Sequence, residues 1–196
     1  IWARWMRERY GAKLKASHAH ELVAAFFGYR SKNALLADKK HPVNALGEAE
    51  VFVMMPVAFF NSRRMDLEGL SLDLPEDSVL CEEILRALLA NQFWNSAYLP
   101  FQDYENLARF LIGNSHQYDA AFPFHRELKL HHFVAVESEE SGIRLTIVHA
   151  CDPLNDATLA VGRTVISLPR VAGHTGFGAP KLMPERWTAG MRRPLS

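Results

Sequence analysis

Hydrophobic positions recur along this chain with two different periods, near 3.6 residues over most of its length and two residues toward its C-terminal third. Leu22, Val23, Phe26 and Phe27 fall on one side of a helix and form a stripe that packs. Gly28 is the stop, because glycine enters the left-handed conformation that closes many helices. Ser31 is placed to cap a second helix through Ala34, Leu35 and Leu36, as Ser17 is for the first, with Glu21 near the positive end of the first helix dipole. The pattern predicts a tight helical corner over residues 17–38. Upstream, Trp2, Trp5, Met6 and Tyr10 repeat at helical spacing and predict a packing helix. His41-Pro42-Val43-Asn44 breaks the pattern, which sets a boundary near residue 45.

Beyond it, Glu50 to Met55 reads as a strand ended by Pro56. Asp73, Pro75 and Glu76 match a capping box opening a helix, whose apolar face of Val79, Leu80, Ile84, Leu85, Leu88 and Leu89 runs to Asn91. Tyr104, Leu107, Ala108, Leu111 and Ile112 mark another, closed by Gly113-Asn114. The period then changes: Leu128, Leu130, His132, Val134 and Val136 alternate with Lys129, His131, Phe133, Ala135 and Glu137, the signature of a strand buried on one face. Ile143–Ala150 and Leu159–Leu168 follow as further strands, joined by turns at 139–142 and 152–156. The stretch from Ala172, with Gly173, Gly176 and Gly178, reads as a loop. Helices followed by strands predict an α+β fold. Its parts are an N-terminal helical hairpin, central helices and a C-terminal antiparallel three-stranded meander. Residues 1–45 form a basic helical head and 46–196 an α+β domain.

Charge sharpens this division. The 196 residues carry 22 basic and 22 acidic side chains. Residues 1–45 hold nine Lys or Arg against three Asp or Glu, residues 46–124 four against twelve, and residues 125–196 nine against seven. A basic head has two physical uses: contact with a polyanion, or attraction to the acidic middle within one fold. The corner itself resembles the DNA-binding helix-turn-helix, with the small Ala24 four residues before a turn glycine. In that resemblance Arg30, Ser31, Lys32 and Asn33 stand at the start of the second helix, and a nucleic-acid ligand would set Lys13, Lys15, Arg30, Lys32 and Lys39 against phosphates and Asn33 against a base edge.

Ser17-His18, Glu21, Ala24 or Ala25, Gly28-Tyr29, Ser31 and Ala34-Leu35 also resemble a short helical module. It occurs in uncharacterised bacterial proteins, several carried on plasmids or other mobile elements, and in segments attached to glyoxalase-related proteins. The resemblance implies a bacterial mobile-element setting and supplies no reaction.

Other chemistry is sparse. Nine histidines raise the alternative of a small metal-dependent enzyme with His131, His149 and Asp152 in the C-terminal sheet, although no H-E-x-x-H helix fixes two ligands together. Cys81 and Cys151 lie far apart and read as buried thiols of a reducing compartment. Gly173, Gly176 and Gly178 lack the Lys-Ser/Thr ending of a phosphate loop. No apolar run reaches the ~20 residues that span a bilayer, and the expected location is cytoplasmic. The sequence therefore predicts a non-catalytic binding or accessory protein, without a cofactor, that contacts nucleic acid through its head. A protein-interaction or assembly subunit is a further alternative, with the Trp-bearing first helix and the Gly/Pro tail as contacts.

Overall fold

The computed structural model describes residues 2–90, 100–123, 131–151 and 159–187. Expectations at Asn91, Leu128, Leu130 and the 152–156 turn lie outside them. The fold is α+β, and its contacts divide the chain into two compact units, Ile1–Asp103 with Arg170–Gly178, and Tyr104–Pro169 with Ala179–Ser196.

In the first unit, helices α1 (Trp2–Tyr10), α2 (Ala16–Phe26) and α3 (Lys32–Ala37) precede the short strand β1 (Val51–Phe52), followed by α4 (Val57–Met65) and α5 (Asp77–Ala90). The predicted stripe is the centre of the core: Leu22, Val23, Phe26 and Phe27 are all buried, together with Met6, Leu14, Phe52, Phe60, Leu80 and Ile84. The Phe26 ring lies 5.9 Å from that of Phe52 and meets Phe27 edge-on at 5.2 Å, the offset and T-shaped geometries that aromatic quadrupoles favour. Trp5 packs against the same core, so this face of α1 serves packing.

Two helix starts differ from the sequence reading. α2 begins at Ala16 with Lys15 as N-cap and no side-chain cap, which leaves Ser17 inside the first turn. α5 begins at Asp77 because Arg64 on α4 captures the preceding backbone. Its guanidinium donates to the Leu74 carbonyl (3.1 Å), the Pro75 carbonyl (2.6 Å) and Asp77 Oδ1 (2.8 Å). Asp73 meanwhile takes its own N–H to Ser71 Oγ, a local turn that competes with helix capping.

The second unit carries α6 (Tyr104–Gly113) and α7 (His116–Ala121) beside β2 (His131–Glu139), β3 (Gly142–Cys151) and most of β4 (Leu159–Ala172). Ser115 caps α7, its hydroxyl accepting from the Tyr118 N–H. β2, β3 and β4 are consecutive antiparallel neighbours, as expected, but the sheet is not a three-stranded meander. The segment read as a loop folds back as β5 (Gly176–Phe177) and β6 (Lys181–Arg186), and six strands are linked in the order β1-β5-β4-β3-β2 with β6 on β4. The reason is local to each unit. In the first, β5 pairs with β1 and with the end of β4, burying Phe177 and Ala172. In the second, β6 runs antiparallel to β4 from Gly162–Arg186 to Ser167–Lys181. Gly173 lies in the turn between β4 and β5, and Gly176 is part of β5.

The second core combines Leu107, Leu111, Tyr118 and Phe122 from the helices with Leu145, Ile147, Ile166 and Leu168 from the strands. Gly162 makes one contact possible. A Cβ there would stand 2.4 Å from the Glu185 carbonyl oxygen and 2.6 Å from the Phe122 ring, so only hydrogen lets the strand and the ring close up. Gly162→Ala is expected to lower unfolding stability by about 1–3 kcal/mol through overpacking, read as a lower urea midpoint with an unchanged slope.

Candidate nucleic-acid interface

The corner begins with the end of α2. The Gly28 N–H reaches the Ala25 carbonyl at 3.0 Å and the Tyr29 N–H reaches Ala24 at 2.9 Å, the paired bonds of a Schellman ending with glycine in the left-handed position, φ 84°. A side chain there is doubly excluded, since a Cβ would lie 2.7 Å from His174 Cβ and 3.1 Å from Met55 Sδ. Ser31 then caps α3 as predicted, its hydroxyl accepting from the Ala34 N–H at 3.1 Å. Glu21 reaches across and accepts from the Lys32 N–H at 3.1 Å, so one acid of α2 helps fix the start of α3.

A charged clasp holds the far end. Tyr29 is buried and donates its hydroxyl to Asp38 Oδ2 at 2.7 Å, while Arg170 donates from Nη2 to the same oxygen at 2.6 Å and to the Tyr29 oxygen at 3.1 Å. Asp38 Oδ1 accepts the His41 N–H at 2.9 Å, and Arg170 Nε donates to the Gly173 carbonyl. Backbone bonds run alongside, from Gly173 N–H to His41 and from His174 N–H to Phe27. Burial alone would raise the Asp38 carboxyl, but the Tyr29 hydroxyl, the His41 N–H and the Arg170 charge together hold it below the usual carboxylate range. Burial and then the Asp38 hydrogen bond push the Tyr29 hydroxyl well above its usual value. The His174 ring meets Tyr29 edge-on at 4.7 Å, and its burial there, followed by the Arg170 charge, lowers its affinity for a proton.

The cations of the head stand outside this clasp. Lys13, Lys15, Arg30 and Lys39 are exposed, as is Asn33, and Lys32 is half-buried. Lys13 Nζ is 3.7 Å from Asp73, both side chains open to solvent, an arrangement worth little in water. Among the described residues, Lys15, Arg30, Lys32 and Lys39 form no ion pair with a carboxylate. Three acids of this unit are held by arginines. Asp38 serves Arg170, Asp77 serves Arg64, and Glu83 takes Arg9 at 3.1 Å together with the Tyr10 hydroxyl. The Tyr10 hydrogen bond, then Arg9, holds Glu83 low despite its burial, and burial followed by Glu83 pushes Tyr10 up to about 12. Glu83 is therefore a structural partner and not the solvated charge its helix position suggests.

Sequence reasoning missed Tyr29, Asp38 and Arg170. Asp38 is the lone acid of a basic run, which is the signal that was available; Arg170 lies 132 residues further on, beyond any local pattern. The residues named for a metal site are not brought together. Asp152 lies outside the described residues, and the register sets His131 against Ala150 while His132 faces His149. Among the described residues, no group of three or more His, Cys, Asp and Glu converges as a metal cage. Cys81 is buried, its thiol pushed up to about 12 by burial and then by Asp77.

Removing one partner of a largely buried pair leaves the other charge uncompensated. Arg170→Ala is thus expected to destabilise the first unit by about 3 kcal/mol, measured by urea unfolding. The pH dependence has a fixed sign. Because the folded Asp38 carboxyl is depressed, the clasp contributes its full stability above the unfolded carboxylate value near ~4 and loses it as pH falls further. Thermal midpoints recorded from neutral pH downward are expected to fall less steeply below ~4 for Asp38→Asn than for the wild type.

No protein-family model matches the chain, and neither the curated proteins nor the solved structures contain a significant match.

Proposed function

We propose that the chain is a non-catalytic nucleic-acid-binding factor that engages phosphates through the basic helical corner. The observation supporting this reading is the contrast in pairing: Lys15, Arg30, Lys32 and Lys39 have no carboxylate partner among the described residues, while Asp38, Asp77 and Glu83 are each held by an arginine of the fold. Two head cations do pair with the acidic middle, Arg9 with Glu83 and Lys13 with the exposed Asp73, and the four named above are left to a polyanion. In this reading the lysines and Arg30 displace counterions from the backbone, and Asn33, exposed at the start of α3, is the side chain suited to a base edge. The clasp fixes the angle at which the corner is presented without touching the ligand. The bacterial mobile-element setting implied by the 17–38 resemblance suits a factor of this kind.

Fluorescence anisotropy with a labelled duplex, titrated at several salt concentrations, tests the reading. Four phosphate contacts correspond to a slope of about −3.6 in log K against log salt. Arg30→Glu with Lys32→Glu is expected to reduce that slope by about 1.8 and to weaken binding across all sequences. Asn33→Ala is expected to relax preference at one base pair only, with the slope unchanged. Binding that is absent, or that ignores both salt and the double charge reversal, overturns it.

A further inference from the structure

The second unit contains a polar site that the helical corner does not use. His149 on β3 is fully buried, its ring 5.1 Å from that of Tyr118 and 4.7 Å from that of Phe122 on the edge of α7. Directly across the ladder stands His132 of β2, half-buried. The two Nδ1 atoms face each other at 2.9 Å, and His149 Nε2 meets Thr164 Oγ1 of β4 at 2.7 Å, with Thr164 also fully buried.

Proton placement follows from these contacts. One imidazole donates from Nδ1 and the other accepts. When His132 is the donor, His149 has its hydrogen on Nε2, given to Thr164, and a lone pair on Nδ1 aimed at its neighbour. That is the arrangement of a metal-ligating histidine whose second nitrogen is oriented by a hydrogen bond. The tautomer of His132 with its hydrogen on Nε2 leaves two neutral imidazoles with both Nδ1 lone pairs converging. Two nitrogens on a tetrahedral zinc at 2.0–2.1 Å are about 3.3–3.4 Å apart, so an opening of roughly half an ångström between cross-strand partners admits the ion.

We propose that His132 and His149 form a two-imidazole site for a transition-metal dication of the zinc class, with Thr164 as the positioning residue and water completing the coordination. Borderline nitrogen ligands of this type select against hard cations such as magnesium. The neutral pair binds without releasing a proton.

Calorimetric titration of the full chain with Zn²⁺ alone, and with Mg²⁺ alone, tests this. Saturable zinc binding at one site, no response to magnesium, loss of that site in His132→Phe, and about 10–100-fold weakening in Thr164→Val are expected. No zinc binding by the wild type, or a His132→Phe variant that binds as the wild type does, overturns the proposal. Should either variant fail to fold, imidazole ¹⁵N spectra of the wild type decide: zinc is expected to shift the Nδ1 resonances of both histidines, and unmoved resonances overturn the proposal.

Discussion

The first unit depends on one carboxylate placed where three donors meet. Asp38 ends α3, and without its oxygens the Tyr29 hydroxyl, the His41 N–H and the Arg170 guanidinium would each be left short of an acceptor in a largely buried place. Desolvated donors of that kind cost about 1–3 kcal/mol apiece when abandoned, which makes the arrangement cooperative. It joins the helical corner to the β4–β5 turn in the same step in which Gly28 lets His174 approach the backbone. The short α3 has no buried residue of its own, and a six-residue helix is marginal in water unaided. Its order is supplied by Ser31 and Glu21 at one end and Asp38 at the other.

That dependence explains the division of labour among the charges. Arg64 and Arg170 take the largely buried pairs with Asp77 and Asp38, because the planar guanidinium fork satisfies several acceptors at once. Lys13, Lys15 and Lys39 of the head are exposed, where ammonium is well hydrated. A basic segment can thus contribute its arginine-bound acids to the interior and still present positive charge outward.

What could be read in advance was the local part. The α2 stripe, the glycine stop, the Ser31 cap and the buried face of α6 each rest on contacts within a few residues, and each appears in the structure. The period of two also showed β2 and β3 as strands, but not their register, and the face of β2 expected to be buried is only partly so, with Val134 half-buried and Val136 exposed. The rest failed for identifiable reasons. The capping-box pattern at Asp73 lost to Arg64, a side chain on another helix that claims the carbonyls first. The Gly/Pro stretch after Ala172 looked like a loop because strands as short as β5 leave no periodic trace, and β6 contains Pro184. The clasp joins Tyr29 and Asp38 to a residue far along the chain, and the histidine pair could be placed only once the register had decided between His131 and His132.

Arg64 has one more implication. By gripping the backbone at Leu74 and Pro75 together with the side chain of Asp77, it closes the base of the connection between α4 and α5, in which Leu67 and Leu70 pack on the core while Leu72 stands 97% exposed. Exposed loop positions of this sort tolerate interruption while pinned ones do not. An epitope or a fluorophore-bearing peptide grafted beside Leu72 would ride on a loop pinned shut beneath it, giving the molecule a handle that leaves both cores undisturbed.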